Sequence, residues 1–203
     1  MAKKSKKKGL SSKVVLIIST AIFVIGLICF FAIYGAAGVT SINVVKTNAL
    51  GKETSTTTTL MFAGLAALFG GDAKVSMSVS STVEALNKGT TDLGTLTLTF
   101  NYGTFIALMV VLVGFVLFVA TYKNKLCQLV STLLLVSGAI VLFCSGAIFA
   151  GINADTVEPF IKLHSAIGQQ TTIDIGSMIL GISSGLIGVF NLFHLVLLLA
   201  KGK

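Results

Sequence analysis

Four long apolar runs set the hydrophobic pattern of this chain. They cover Val14–Ala37, Phe105–Ala120, Leu126–Ala150 and Ile175–Ala200. A helix needs about 20 predominantly apolar residues to cross a hydrocarbon core about 30 Å thick. Three runs have 24 to 26 residues, and the second, with 16, is lengthened by its neighbours and continues as a span to Tyr122. The pattern therefore predicts four transmembrane helices.

The polar segments between the runs divide by charge. Residues 1–13, 123–125 and 201–203 hold ten of the fifteen lysines and no carboxylate, whereas loops 38–104 and 151–174 hold all seven acids. Lysine near the ends of spans is retained on the cytoplasmic side of a membrane. We therefore predict a multi-pass plasma-membrane protein with both termini in the cytoplasm and both loops outside.

The composition is that of a membrane protein, and its lysines indicate anionic lipid as one partner. The chain is 54% hydrophobic, with a mean hydropathy of +0.97. Its net charge of +8 could indicate nucleic acid, but six lysines lie within Ala2–Lys13, directly against the first span. Juxtamembrane lysines attract anionic lipid headgroups by about 1 kcal/mol each. We expect anionic lipids at the cytoplasmic face and no nucleic-acid partner.

The first span resembles a secretory signal but is too long for one. An apolar signal core has roughly 7–15 residues, and Val14–Ile33 exceeds that length. We expect this span to be retained. All basic residues are lysine and tryptophan is absent, a bias that suggests a bacterial source.

The first loop contains strand-like alternation. Apolar and Ser or Thr residues alternate in Val75–Ser80 and in Thr95–Phe100, with Val39–Val45 as a third candidate strand. Period-two alternation is typical of a half-buried strand. Turn residues lie at Asn87–Gly89 and Asp92–Gly94, and Thr171–Ile175 is a candidate edge strand. We predict a small extracellular antiparallel sheet standing on a four-helix bundle.

One apolar segment of the first loop, Leu60–Gly71, has only 12 residues and cannot span. It follows Thr54–Thr59, which we interpret as flexible. Either it is a short helix packed over the sheet or on the outer leaflet, or it is an exposed patch that contacts another subunit or surface. The side chains of this candidate assembly segment are Leu60, Met61, Phe62, Leu65, Leu68 and Phe69.

The second loop predicts a short amphipathic helix. Asp155–Pro159 fits a helix start, with Pro near the first turn. Asp174 is predicted to cap the fourth span, because a carboxylate complements a helix N-terminus.

Catalytic and transport chemistry find little support in the sequence. The spans contain no acidic or basic residue in their interiors, although pumps and ion-coupled carriers need such groups. His164, Asp155 and Glu158 form at best a weak cation site. No nucleophile, phosphate-loop, zinc-protease or dinucleotide motif is present. We expect a protein that is not an enzyme and has no cofactor or metal.

Two polar residues, Asn191 and His194, lie one turn apart near the inner end of the fourth span. They indicate either a polar gate or ligand site, or an interhelical hydrogen bond. The hydrogen bond is the simpler interpretation.

Small residues recur in the fourth span at the spacing that lets two helices approach closely. They are Ser177, Gly181 and Gly185, with Ser184 and Gly188 on an adjacent stripe. Candidates for the facing surface in the third span are Ser137, Gly138, Ser145 and Gly146. The contact is either packing within one chain, which we favour, or contact between subunits.

The order of segments resembles that of claudin-like tetraspan membrane proteins: a span, a long outer loop with strands, two spans joined by a tight inner turn, a short outer loop and a final span. The resemblance covers the whole chain as topology only. The tryptophans and paired cysteines of that family's first loop are absent, so no site residue is carried over. The resemblance implies lateral self-assembly through the outer sheet.

Two functions from different classes follow. The first is a non-enzymatic structural or adhesion scaffold that forms a homo-oligomer through its extracellular domain, with a possible protein partner at the loops. The alternative is a subunit of an oligomeric pore, or an accessory subunit of a larger complex. The residues available to line a pore are Ser131, Thr132, Ser137, Ser145, Ser177, Ser183 and Ser184.

Overall fold

The computed structural model describes residues 12–35, 37–47, 53–81, 88–153 and 172–200. Within these ranges four helices are long and apolar enough to cross a membrane, which confirms the expectation of four long apolar helices. They are α1 (Ser12–Gly35), α3 (Tyr102–Ala120), α4 (Lys125–Phe143) and α6 (Thr172–Ala200). Two short helices accompany them, α2 (Gly64–Phe69) and α5 (Ser145–Ile152).

A small antiparallel sheet lies at one end of the helices, as the strand pattern predicts. Its strands follow chain order, β1-β2-β3-β4. They are β1 (Ala37–Thr47), β2 (Glu53–Ala63), β3 (Gly71–Ser81) and β4 (Lys88–Leu98). Because β1 continues directly from α1 and β4 leads into α3, the sheet is fixed to the bundle at both ends of the meander.

The interpretation of Thr54–Thr59 as flexible is wrong. These residues lie in the first half of β2, paired with β1 on one side and β3 on the other. Threonine is β-branched and favours extended backbone even where no apolar alternation marks the strand. The run has polar residues on both faces, so periodicity could not reveal it.

The turn predicted at Asp92–Gly94 is also wrong, because these residues lie inside β4. The β3–β4 register shifts between Val75 and Ser76 and again between Met77 and Val79. At the first shift Gly94 has φ +106°, and its N–H donates to Asp92 Oδ1 at 2.9 Å. The turn-like residues therefore make a bulge. Lys88 and Gly89 likewise begin β4.

The predicted edge strand at Thr171–Ile175 is wrong as well, since α6 begins at Thr172. Asp174 consequently lies inside the first helical turn instead of before it. A carboxylate at either position complements the helix N-terminus. The amphipathic helix predicted after Asp155, together with Glu158 and His164, lies outside the described residues.

The third predicted span, 126–150, is divided into two helices at Cys144. The N–H of Cys144 bonds to Val141 O at 3.0 Å, a tight turn in place of the regular helical bond. Ser145 and Gly146 follow at once, and Ser/Gly pairs are common sites of helix kinks. The helix α5 continues toward the sheet, where Asn153 at its end accepts from the Thr99 N–H at 2.9 Å.

The long helices form one bundle. Helix α6 packs along both α1 and α4, and α4 packs along α3. Phe23 of α1 stacks on Phe115 of α3, with ring centroids 3.9 Å apart, which closes the bundle on its remaining side. The bundle core contains the buried side chains of Phe30, Phe118, Leu135, Leu142, Leu180 and Ile187.

The sheet has its own apolar base next to the bundle. One face carries buried side chains from three strands: Leu60, Phe62, Ala73, Val75, Leu96 and Leu98. Ala67 and Leu68 of α2 are buried in the same cluster, and the rings of Phe62 and Phe149 lie 5.4 Å apart. Sheet, α2 and α5 therefore share one core.

Candidate functional site

A buried polar cluster joins three helices inside the bundle. Asn191 of α6 is fully buried. Its Nδ2 donates to the carbonyl oxygen of Gln128 at 3.1 Å and lies 3.4 Å from Ser131 Oγ, both on α4. Ser131 Oγ in turn donates to Gly114 O of α3 at 2.8 Å. Asn191 thus takes part in an interhelical hydrogen-bond chain.

Gln128 is the member of this cluster that sequence reasoning missed. Its Nε2 donates to Phe118 O at 3.2 Å, where α3 nears its end. The Oε1 atom of Gln128 and the Oδ1 atom of Asn191 are buried without a partner among the described residues. The signal that could have found Gln128 is the one that found Asn191, an amide inside an apolar run.

His194 has a different partner from Asn191. Its ring stacks on Tyr122, with centroids 4.2 Å apart. Nδ1 lies 3.4 Å from the Tyr122 hydroxyl, and Nε2 lies 3.3 Å from the Tyr122 carbonyl oxygen. In the tautomer that carries its proton on Nε2, the ring donates to the carbonyl oxygen and Nδ1 accepts from the hydroxyl. His194 therefore ties α6 to the turn that follows α3.

The small-residue stripe of α6 packs within the chain. A Cβ added at Gly181 would lie 3.3 Å from Ala139 O, and one at Gly188 would lie 2.9 Å from Val136 Cγ2, both on α4. A Cβ added at Gly185 would lie 3.9 Å from Ala139 Cβ, which is ordinary van der Waals contact. Ser177 is buried and hydrogen-bonds to Ser145.

Two other glycines correct the predicted partner surface. Gly138, expected to face α6, faces α3 instead, where an added Cβ would meet Val111 Cγ2 and lie 3.3 Å from Ala107 O. Gly26, which the sequence pattern did not single out, is the close-contact position of α1. An added Cβ there would lie 2.7 Å from Ser183 Cβ on α6.

The candidate assembly segment, Leu60–Gly71, is divided between two elements and two environments. Its first four residues complete β2, and Gly64–Phe69 form α2. Leu60, Phe62 and Leu68 are buried in the base of the sheet, whereas Met61, Leu65 and Phe69 are exposed. Half of the segment is thus core, which corrects the interpretation of Leu60–Gly71 as one continuous helix or patch.

The two edges of the sheet differ. Edge strand β4 carries both register shifts and Gly94, which interrupt its outer row of backbone groups. Edge strand β1 pairs with β2 in unbroken register over 11 residues. In the described parts of the chain no strand pairs with its other side. Unprotected edges of this kind are templates for pairing with another chain.

The helices and the sheet together define a class: a multi-pass helical membrane protein with a β-sheet domain at one end. Within the described residues no three His, Cys, Asp or Glu side chains come close enough to hold a metal ion. Family models, curated proteins and solved structures give no match to this chain.

Proposed function

We propose that this protein is a non-enzymatic scaffold of the plasma membrane that self-associates laterally through its β-sheet domain on the extracellular side. The observation that carries the proposal is the uninterrupted edge of β1. Every second residue of this 11-residue strand directs its N–H and C=O away from β2. Such groups favour pairing with a further strand, because main-chain hydrogen bonds supply affinity with little demand on side chains.

The direction of the strands favours head-to-tail association. A meander of four antiparallel strands has β1 and β4 running in opposite directions. Two copies upright in one membrane can therefore set β4 of one beside β1 of the other in antiparallel pairing. The regular part of β4 is Gly94–Leu98, next to the bundle, so we expect it to meet the part of β1 nearest the bundle. Such a heterologous contact builds rows or rings.

The lysine distribution supports an extracellular position for the sheet. The sheet lies at the end of the bundle opposite the turn that joins α3 and α4, which carries Lys123 and Lys125. Lysines at span ends favour the cytoplasmic side.

Burial reduces support for the pore alternative. A ring of subunits needs a polar helix face on the outside of each bundle. Of the serines and threonines available for a lumen, only Ser137 is exposed, and its hydroxyl bonds to Leu134 O of its own helix. The other six are buried inside the bundle: Ser131, Thr132, Ser145, Ser177, Ser183 and Ser184.

Cysteine cross-linking tests the proposed contact. The chain's cysteines are Cys29, Cys127 and Cys144, and replacing them by serine gives a background without thiols. Val39 and Ser41 of β1 share one face of the sheet with Thr95 and Thr97 of β4, because the register aligns Val39 with Met61, Met61 with Lys74 and Lys74 with Thr95. Double variants that pair one β1 cysteine with one β4 cysteine should give disulfide-linked ladders in membranes.

A matched control uses Thr57, which lies on the same face in the central strand β2. Thr57→Cys with Thr97→Cys should stay monomeric, because an interior strand cannot reach a neighbouring copy. Monomers from all β1–β4 pairs would contradict the proposal. If variants with a cysteine only in β1 form dimers, the contact joins β1 to β1 about a two-fold axis, and the head-to-tail geometry is wrong.

A further inference from the structure

An exposed apolar patch lies at the junction of the sheet and the bundle, on residues that are not part of β1. Its side chains are Leu65 and Phe69 of α2, Phe100 of the β4–α3 link and Tyr102 at the start of α3; we call it the interfacial patch. These side chains are 43%, 52%, 39% and 59% exposed, respectively. Large apolar groups so exposed at one place indicate an interaction surface.

Ring contacts make the patch continuous. The centroid of Phe69 lies 6.5 Å from that of Phe100 and 6.2 Å from that of Phe105, and Phe100 lies 5.4 Å from Phe105. Leu65 precedes Phe69 by one helical turn, so the two exposed side chains share one face of α2. The opposite face of α2, with Ala67 and Leu68, is buried in the core.

The level of the patch follows from α3. This helix has 19 residues, which at about 1.5 Å per residue span roughly 28 Å, close to the thickness of the hydrocarbon core of about 30 Å. Its first turn therefore lies at the membrane boundary. Because Phe69 touches Phe105 in that turn, α2 lies at the same level.

The patch also continues the lipid-facing side of α3. Tyr102, Ile106, Met109 and Val113 recur at helical spacing, and all four are exposed on the isolated chain. Lipid covers this stripe in a membrane, and the patch extends it without a break through Tyr102 and Phe100. Tyrosine is enriched at the membrane–water boundary because it is apolar along its ring and polar at its tip.

We propose that the interfacial patch binds the phospholipids of the leaflet on the sheet side, with α2 lying in the layer between headgroups and acyl chains. The occupant is lipid and not a second copy of the chain, because the patch is continuous with the lipid-covered stripe of α3. This contact does not depend on self-association. It holds the sheet at a fixed height above the membrane.

The absence of tryptophan allows a direct test in the full-length protein. Phe69→Trp places a single fluorophore in the patch. Leu93→Trp is the matched control, since Leu93 is an exposed β4 residue about 16 Å farther along the strand from Leu98 at roughly 3.3 Å per residue. The variants are reconstituted in phosphatidylcholine vesicles whose chains carry bromine either near the glycerol or near the chain end. Iodide is added from the water.

The expected result is several-fold stronger quenching of Phe69→Trp by the shallow bromine than by the deep one, with little quenching by iodide. In the control Leu93→Trp, iodide should quench the tryptophan fluorescence more strongly than either brominated lipid does. Quenching of Phe69→Trp by iodide alone would overturn the proposal, since the patch would then face water. Quenching by neither agent would also overturn it, because protein would then cover the patch. Leu65→Trp repeats the test if Phe69→Trp does not fold.

Discussion

At the scale of single residues, the buried amides of Asn191 and Gln128 join α3, α4 and α6. Sequence reasoning selected Asn191 and His194 because an amide or imidazole is rare in an apolar span. It could not select their partners. Asn191 and Gln128 lie 63 positions apart, and which side chains meet depends on the rotation of each helix. Spans that are apolar on every side give little information about rotation.

Replacing Asn191 by alanine should lower the free energy of unfolding by about 1 kcal/mol, since interhelical hydrogen bonds in membranes are worth about 0.6 kcal/mol on average and up to about 1.7. The substitution removes both donations from Nδ2 to α4. Reversible unfolding in mixed micelles measures the change. The control is Thr20→Val, which removes only a bond to Leu16 O of the same helix. Equal stability of the two variants would contradict an interhelical role for Asn191.

At the scale of elements, the four spans were predictable because a long apolar run has few alternatives. The packing between them was less so. Gly181 and Gly188 were found by their spacing, but Gly26 stands outside any repeat and still lies in close contact with Ser183 of α6. Strand β2 was not predicted for a similar reason. Its threonines do not alternate with apolar residues, and only the pairing with the neighbouring strands shows that they form a strand.

Gly26→Ala should destabilise the protein by about 1–3 kcal/mol, the usual cost of overpacking, because its Cβ would lie 2.7 Å from Ser183 Cβ. Adding Ser183→Gly removes that obstacle and should restore most of the loss. A double-mutant cycle on the free energy of unfolding measures the coupling. Gly151→Ala is the control, since an added Cβ there meets nothing within 4 Å. Additive effects of the two substitutions would show that α1 and α6 do not touch at this point.

The junction of bundle and sheet gives a second prediction at this scale. Asn153, at the end of α5, accepts from the Thr99 N–H at 2.9 Å and donates to Phe149 O at 3.0 Å. Asn153→Ala should therefore speed hydrogen exchange at the Thr99 amide, which loses its acceptor, while the amides in the middle of α4 keep their protection. Unchanged exchange at Thr99 would mean that another group accepts from this N–H.

At the scale of the whole molecule, the sidedness of the lysines and acids predicts the orientation in the membrane. The charge distribution along the chain is independent of the fold, and the two agree. The β-sheet and the turn between α3 and α4 lie at opposite ends of the bundle, so the acid-containing loop and the lysine-rich link are separated by the length of the spans.

In the cysteine-free background, Leu93→Cys on β4 should react with a membrane-impermeant maleimide in intact cells. Lys123→Cys should react only after permeabilisation, because Lys123 lies in the turn on the lysine-rich side. Both side chains are exposed, so a difference in labelling reports the membrane and not burial. The reverse pattern would place the sheet in the cytoplasm and would contradict the proposed extracellular assembly through β1. Labelling of both sites in intact cells would instead indicate two orientations and would show that the lysine asymmetry is too weak to orient the protein.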